Sequence, residues 1–161
     1  KRIQAGEEPF MTKDETSKYT DLLADGKARI FSYEMDAKSV ITRPSGGHKL
    51  AGPGFHEISG VAWSGRGKIE RVEVSTDGGE SWSDAELDEP RYSKAFTRFR
   101  LPWRWEGGAS QLVSRATDET GYVQPSVEAL IEARGTRSIY HNHGIKAWQV
   151  SEDGAVGAPD A

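Results

Sequence analysis

"AFTRFRLPWRW", residues 95–105, alternates from end to end: Ala95, Thr97, Phe99, Leu101, Trp103 and Trp105 fall on one side, with Arg98, Arg100 and Arg104 on the other. A period of two is the repeat of a β-strand that buries one face. Pro102 has no backbone donor, which places this strand near a sheet edge or a bulge. Neighbouring segments read the same way. "HEISGVAW" (56–63) sets Ile58, Gly60 and Ala62 against Val61 and Trp63, and "KIERVEVS" (68–75) carries Val72 and Val74 two apart. "SQLVSRATD" (110–118) and "HGIKAWQV" (143–150) supply two more strands. Short strands punctuated by turn residues predict an all-β sandwich over residues 44–151. "PSVEALIEARG" (125–135) reads as a short helical connection closed by Gly135. Before the sandwich, "EEPFMTKDETSKYTDLLADGKARIF" (7–31) is polar and lacks sustained periodicity, so residues 1–43 are expected to be loop-rich, extended chain. Residues 152–161 are expected to form a flexible tail.

Composition narrows the function classes. The 161 residues carry a formal net charge of -4 with 29% charged and 35% apolar residues, a balance that offers nucleic acid no basic field. No run approaches the roughly 18 apolar residues of a membrane span, and "KRIQAGEEPF" lacks the apolar stretch of a signal peptide. No membrane or nucleic-acid partner is expected. The absence of cysteine excludes disulfides, thiolate metal ligands and cysteine nucleophiles from this stretch.

Three motifs call for a choice between chemistry and architecture. "EVSTDGGESW" (73–82) fits S-x-D-x-G-x-x-W, the Asp-box of sialidase-type propellers, but it occurs once in a chain too short for several blades. A hairpin turn accounts for it: Asp77, Gly78 and Gly79 at positive φ, with Val74 and Trp82 on the paired strands. "SGRGK" (64–68) is a glycine turn and not a P-loop, since Ala62 and Ile69 stand where the motif needs Gly and Ser or Thr. In "YHNHG" (140–144), His141 and His143 would share a strand face, yet His48 and His56 are the remaining histidines, so two hydrogen-bonded histidines at a domain junction are expected and a metal site is not. Trp63, Trp82 and Trp103 are assigned to the core or a dimer face. Carboxylates such as Glu7, Glu8, Asp88 and Glu89 sit in loop contexts where solvation is the default. Read this far, the chain is a packing or binding module.

Longer motifs add a family resemblance. G-x-A-W-S-G-x-G (60–67), V-S-x-D-G-G-x-x-W (74–82), R-x-x-W (100–103) and A-x-D-x-x-G-x-x-Q-P (116–125) follow one another within a stretch from about residue 40 to residue 150. That stretch resembles the C-terminal dimerisation domain of the sulfite oxidase family of molybdenum enzymes, which implies an immunoglobulin-like sandwich and a homodimer. Residues 1–43 look like the edge of the family's molybdopterin-binding domain. "EEPFMTKDETSKYTDLL", "SVITRPSGG" and "YHNHGIKAWQV" look most like the molybdenum subunit of bacterial sulfur or sulfite dehydrogenases of the thiosulfate-oxidising system. The resemblance implies oxidation of a sulfur substrate in the periplasm, electrons passing to a c-type cytochrome that carries the haem, and a sulfur-carrier protein as a further partner.

Residue roles follow from the same resemblance. Tyr19 falls at the family's active-site tyrosine, which hydrogen-bonds near the molybdenum centre. Where animal and plant sulfite oxidases carry W-H-R, this chain has Tyr140, His141 and Asn142, so His141 and Asn142 are substrate-pocket candidates and the anion site is expected to differ. A sulfur oxyanion calls for fixed guanidinium donors. Arg134 matches an arginine of the family's L-R-G segment and Arg2 follows the cofactor-domain exit; for both, a structural ion pair is the alternative. The family's molybdenum-ligating cysteine has no counterpart among these residues, so this stretch alone is expected to be inactive. The competing reading is a stand-alone immunoglobulin-like binding module without catalysis.

Overall fold

The computed structural model describes residues 3, 5–7, 20–22, 25–30, 34–135 and 142–159. In chain order its strands are β1 (Thr20–Leu22), β2 (Ala28–Ile30), β3 (Lys38–Arg43), β4 (Gly54–Trp63), β5 (Ile69–Ser75), β6 (Ser83–Asp84), β7 (Glu86–Leu87), β8 (Thr97–Trp105), β9 (Ser110–Asp118), β10 (Ala147–Val150) and β11 (Val156–Gly157), with helix α1 (Val127–Arg134) between β9 and β10. β1 and β2 form a hairpin. The rest make two antiparallel sheets, one ordered β3-β4-β8-β7 and the other β11-β10-β9-β5-β6. This is the all-β sandwich expected from the alternation, with the immunoglobulin-like build that the resemblance implied. The sheets also take in β3 and β11, on either side of the 44–151 span.

Burial follows the sequence pattern closely. Along β8, Thr97, Phe99, Trp103 and Trp105 are buried, while Arg98, Arg100, Pro102 and Arg104 are exposed. These side chains meet Ile58 and Ala62 of β4 and, across the layer, Ile69, Val72, Val74, Leu112, Ala116 and Val150. Each fully buried aliphatic or Phe side chain contributes about 1.5–3 kcal/mol. Pro102 is tolerated because β7 pairs with β8 at Phe99 and Arg100 alone, leaving the following stretch an open edge. Gly60 sits under the Phe99 ring and against the Val40 carbonyl, where any Cβ would collide with both.

The 64–68 glycine turn carries the chain from one sheet to the other, since β4 and β5 belong to different sheets. One local reading needs correction. In the 73–82 turn, Gly78 and Gly79 have positive φ but Asp77 does not, and Val74 pairs with Ser83, so Trp82 lies just before the paired strand. Of the tryptophans, Trp103 is in the core. Trp63 and Trp82 are half-buried outside it, Trp63 against the Phe96 ring and Trp82 under the Arg115 guanidinium at 4.2 Å.

The Gln124 side chain ties the two sheets together. The Gln124 Oε1 accepts from the backbone N–H and hydroxyl of Ser39 on β3, both at 2.8 Å, and from the Ala116 N–H on β9 at 3.2 Å. Gln124 leads into α1. There the Ser126 hydroxyl caps the helix by accepting from the Ala129 N–H at 3.1 Å, and Gly135, at φ 76°, donates to the Ile131 carbonyl.

Candidate functional site

The chain enters β3 through residues 34–37, and the sheet-to-sheet connection crosses directly against it. The Gly65 N–H donates to the Met35 carbonyl at 2.7 Å, a distance open only to glycine because a Cβ there would press on the Met35 backbone. This approach seats the Asp36 carboxylate, 4% exposed, among two guanidinium groups and a histidine from three parts of the chain. Its Oδ1 pairs with the Arg66 Nη2 at 2.8 Å. Its Oδ2 takes the Arg134 Nη2, at the end of α1, at 3.0 Å and faces the His143 Nε2 at 3.5 Å. His143, also buried, shares that nitrogen with the Tyr122 hydroxyl at 2.8 Å. The Arg66 guanidinium lies 5.3 Å from the Tyr122 ring centroid. Burial pushes the Tyr122 hydroxyl above its ordinary pKa, and the Asp36 charge adds to the push, so the phenol stays protonated.

A second carboxylate supports the first. Asp118, at the end of β9, accepts from the Ser64 and Thr120 hydroxyls, each at 2.6 Å, and from the Thr120 N–H at 3.0 Å. Burial pushes its pKa up, but these bonds outweigh the burial and hold the carboxyl below its ordinary value. The turn that carries Tyr122 is thereby fastened to the Ser64–Gly65 connection beside Asp36.

The sequence-derived candidates fall unevenly on this cluster. Arg134 is in it. Asn142 adjoins it, its carbonyl accepting from the Lys38 Nζ at 2.6 Å. Burial pushes the Lys38 pKa down, with the Lys146 charge second. Tyr19, Arg2 and His141 lie outside the described residues. Residues 142–146 are not strand, so His143 does not use a strand face; it meets Tyr122 and Asp36. Asp36, Arg66 and Tyr122 are the members that sequence reasoning missed. The signal was an acid just before the alternation of β3 begins, inside a stretch read as loop.

Metal chemistry finds no footing here. Among the described residues no group of three or more His, Asp or Glu could hold a metal ion, and the sequence has no cysteine. The residues present therefore do not fit a molybdenum centre. Asp77 is no acid catalyst either: its carboxylate accepts from the Ser75 and Ser81 hydroxyls and the Ser81 N–H, which hold it far below the usual carboxylate range. Its turn is a structural one.

An immunoglobulin-like sandwich with a buried charge cluster where the N-terminal chain joins it has the build of a packing or binding domain. The chain belongs to the Mo-co oxidoreductase dimerisation domain family, whose model matches residues 29–147. The resemblance to sulfite oxidases is borne out by relatives: 35% identity over 112 residues with sulfite oxidase of Gallus gallus (65% of this chain, 24% of that protein) and 37% over 105 residues with mitochondrial sulfite oxidase of Homo sapiens (61% and 19%). Nitrate reductase [NADH] of Hordeum vulgare is 37% identical over 106 residues, covering 57% of this chain and 12% of that one. Among solved structures, the sulfane dehydrogenase SoxCD from Paracoccus pantotrophus superimposes with a TM-score of 0.86 at 50% identity, over 93% of this chain and 39% of that chain. The chain thus spans a quarter or less of these curated relatives' length.

Proposed function

We propose that this chain is the C-terminal region of a molybdenum-dependent sulfur or sulfite dehydrogenase, supplying the homodimerising sandwich and part of the substrate side of the active site. The observation that carries it is the 50% identity to a sulfane dehydrogenase sustained over 93% of the chain. In this reading the chain before β3 is the edge of a molybdopterin-binding domain and Tyr19 hydrogen-bonds near the metal. Arg2, Arg134, His141 and Asn142 are the further site candidates, with Arg134 and Asn142 meeting the oxyanion of the sulfur substrate. The intact protein binds molybdenum-molybdopterin, which supplies the two-electron oxidation, through residues outside the described set. Electrons leave to a c-type cytochrome that carries the haem, the substrate is presented on a sulfur-carrier protein, and the enzyme works in the periplasm.

The test is the molybdenum content of the protein isolated from its natural source, together with sulfite- and thiosulfate-dependent reduction of cytochrome c. About one molybdenum per chain with either activity is the expected result. Metal-free, inactive native protein would overturn the proposal and leave a dimerising module. If the metal is present, Tyr19→Phe should lower kcat more than it raises KM, because a hydrogen bond close to the metal acts on the reacting state.

A further inference from the structure

Resting on that reading, the geometry points to Asp36 as a positioning residue for the substrate side of the site, acting through Arg134 and the backbone at residues 142–143. A single carboxylate oxygen holds the Arg134 Nη2 at 3.0 Å and faces the His143 Nε2 at 3.5 Å, so the last residue of α1 and the residue beside Asn142 are tied to one atom. The other oxygen lies 2.8 Å from the Arg66 Nη2, an ion pair without a hydrogen bond, and the Arg66 backbone N–H donates to the Ser64 hydroxyl at 3.0 Å. Two residues further on, Lys38 takes the Asn142 carbonyl at 2.6 Å. The run 36–38 therefore holds both described substrate candidates, and it is the same run that leads back to the segment carrying Tyr19.

Stability alone is a poor reason for this arrangement. Buried ion pairs often do no better than apolar side chains of the same volume, because the desolvation of each charge offsets the attraction. What such a cluster provides is orientation. A guanidinium is a rigid planar fork, so fixing one Nη on Asp36 fixes the plane of the remaining donors. The Arg134 side chain, 12% exposed, is held as a group meant to point one way.

The experiment uses the full-length subunit with its native cofactor, comparing wild type with Asp36→Asn, which keeps the shape and removes the charge, and with His143→Gln. Sulfite is the substrate probe, and hydrogen–deuterium exchange is followed in peptides covering residues 134–143. For Asp36→Asn we expect KM for sulfite to rise about tenfold with kcat within about twofold, and exchange about tenfold faster, as loosened positioning produces. Molybdenum content and dimer should be unchanged. Faster exchange with an unchanged KM would show a purely structural cluster and overturn the inference; unchanged exchange would overturn it as well. Should Asp36→Asn fail to fold, His143→Gln carries the test with the same two readouts. Wild-type protein lacking molybdenum and sulfite oxidation would sink the proposed function and this inference with it, whereas an effect confined to the variants bears on Asp36 alone.

Discussion

Single residues in this protein are constrained by contacts that composition does not show. Gly60 has no room for a methyl group between the Val40 carbonyl and the Phe99 ring, whereas a Cβ on Gly108 would meet nothing within 4 Å. Gly60→Ala should destabilise by about 3 kcal/mol through overpacking, and Gly108→Ala should stay within about 0.5 kcal/mol; urea unfolding of the two variants decides. Asp118 makes a second prediction. Its folded pKa is depressed below the unfolded value, so its contribution is present above the unfolded pKa, near 3.9, and is lost as pH falls through the folded one. Ser64→Ala removes a hydrogen bond to the ionised form and raises the folded pKa. Thermal midpoints followed from pH 7 down through the carboxylate range should then fall less in the variant than in wild type, the two curves converging in acid; parallel curves would show that Ser64 does not hold the charge.

Elements differ in how openly the sequence declares them. β8 and β4 were legible because each buries one face and shows it in every second residue. β5 was harder: Glu73 and Ser75 on its other face are buried as well, Glu73 beneath the paired Arg115, so polar letters mark covered positions. α1 was legible from its closing Gly135; the Ser126 cap at its start is a further end signal that the sequence carried. The charge cluster was not legible, because Arg134 and Asp36 stand 98 positions apart and meet only once two sheets and a helix are in place. A third prediction belongs to β8. Pro102 lies on the open stretch of that strand, so Pro102→Val should leave urea stability within about 0.5 kcal/mol yet provide an edge ready to pair with other chains. Light scattering at 37 °C should rise faster for the variant; equal scattering would show that the edge is already protected.

Taken whole, the sandwich closes a core of its own from residue 37 to residue 156. Residues 34–159 expressed alone should therefore unfold in one cooperative calorimetric transition without any metal, and sediment as a dimer at micromolar concentration if the homodimer proposed above is correct. A broad, non-cooperative transition would mean that these residues do not hold the sheets together by themselves. The Gln124 clasp has one more consequence, and it concerns time. The Ser39 N–H finds its acceptor 85 positions further along the chain. At roughly 5–20 residues per second of synthesis, on the order of ten seconds pass between the emergence of β3 and the arrival of that acceptor. Through that interval strands β4 to β9 emerge while the Ser39 N–H still lacks its acceptor, and a ribosome-bound chaperone would find its longest opportunity there.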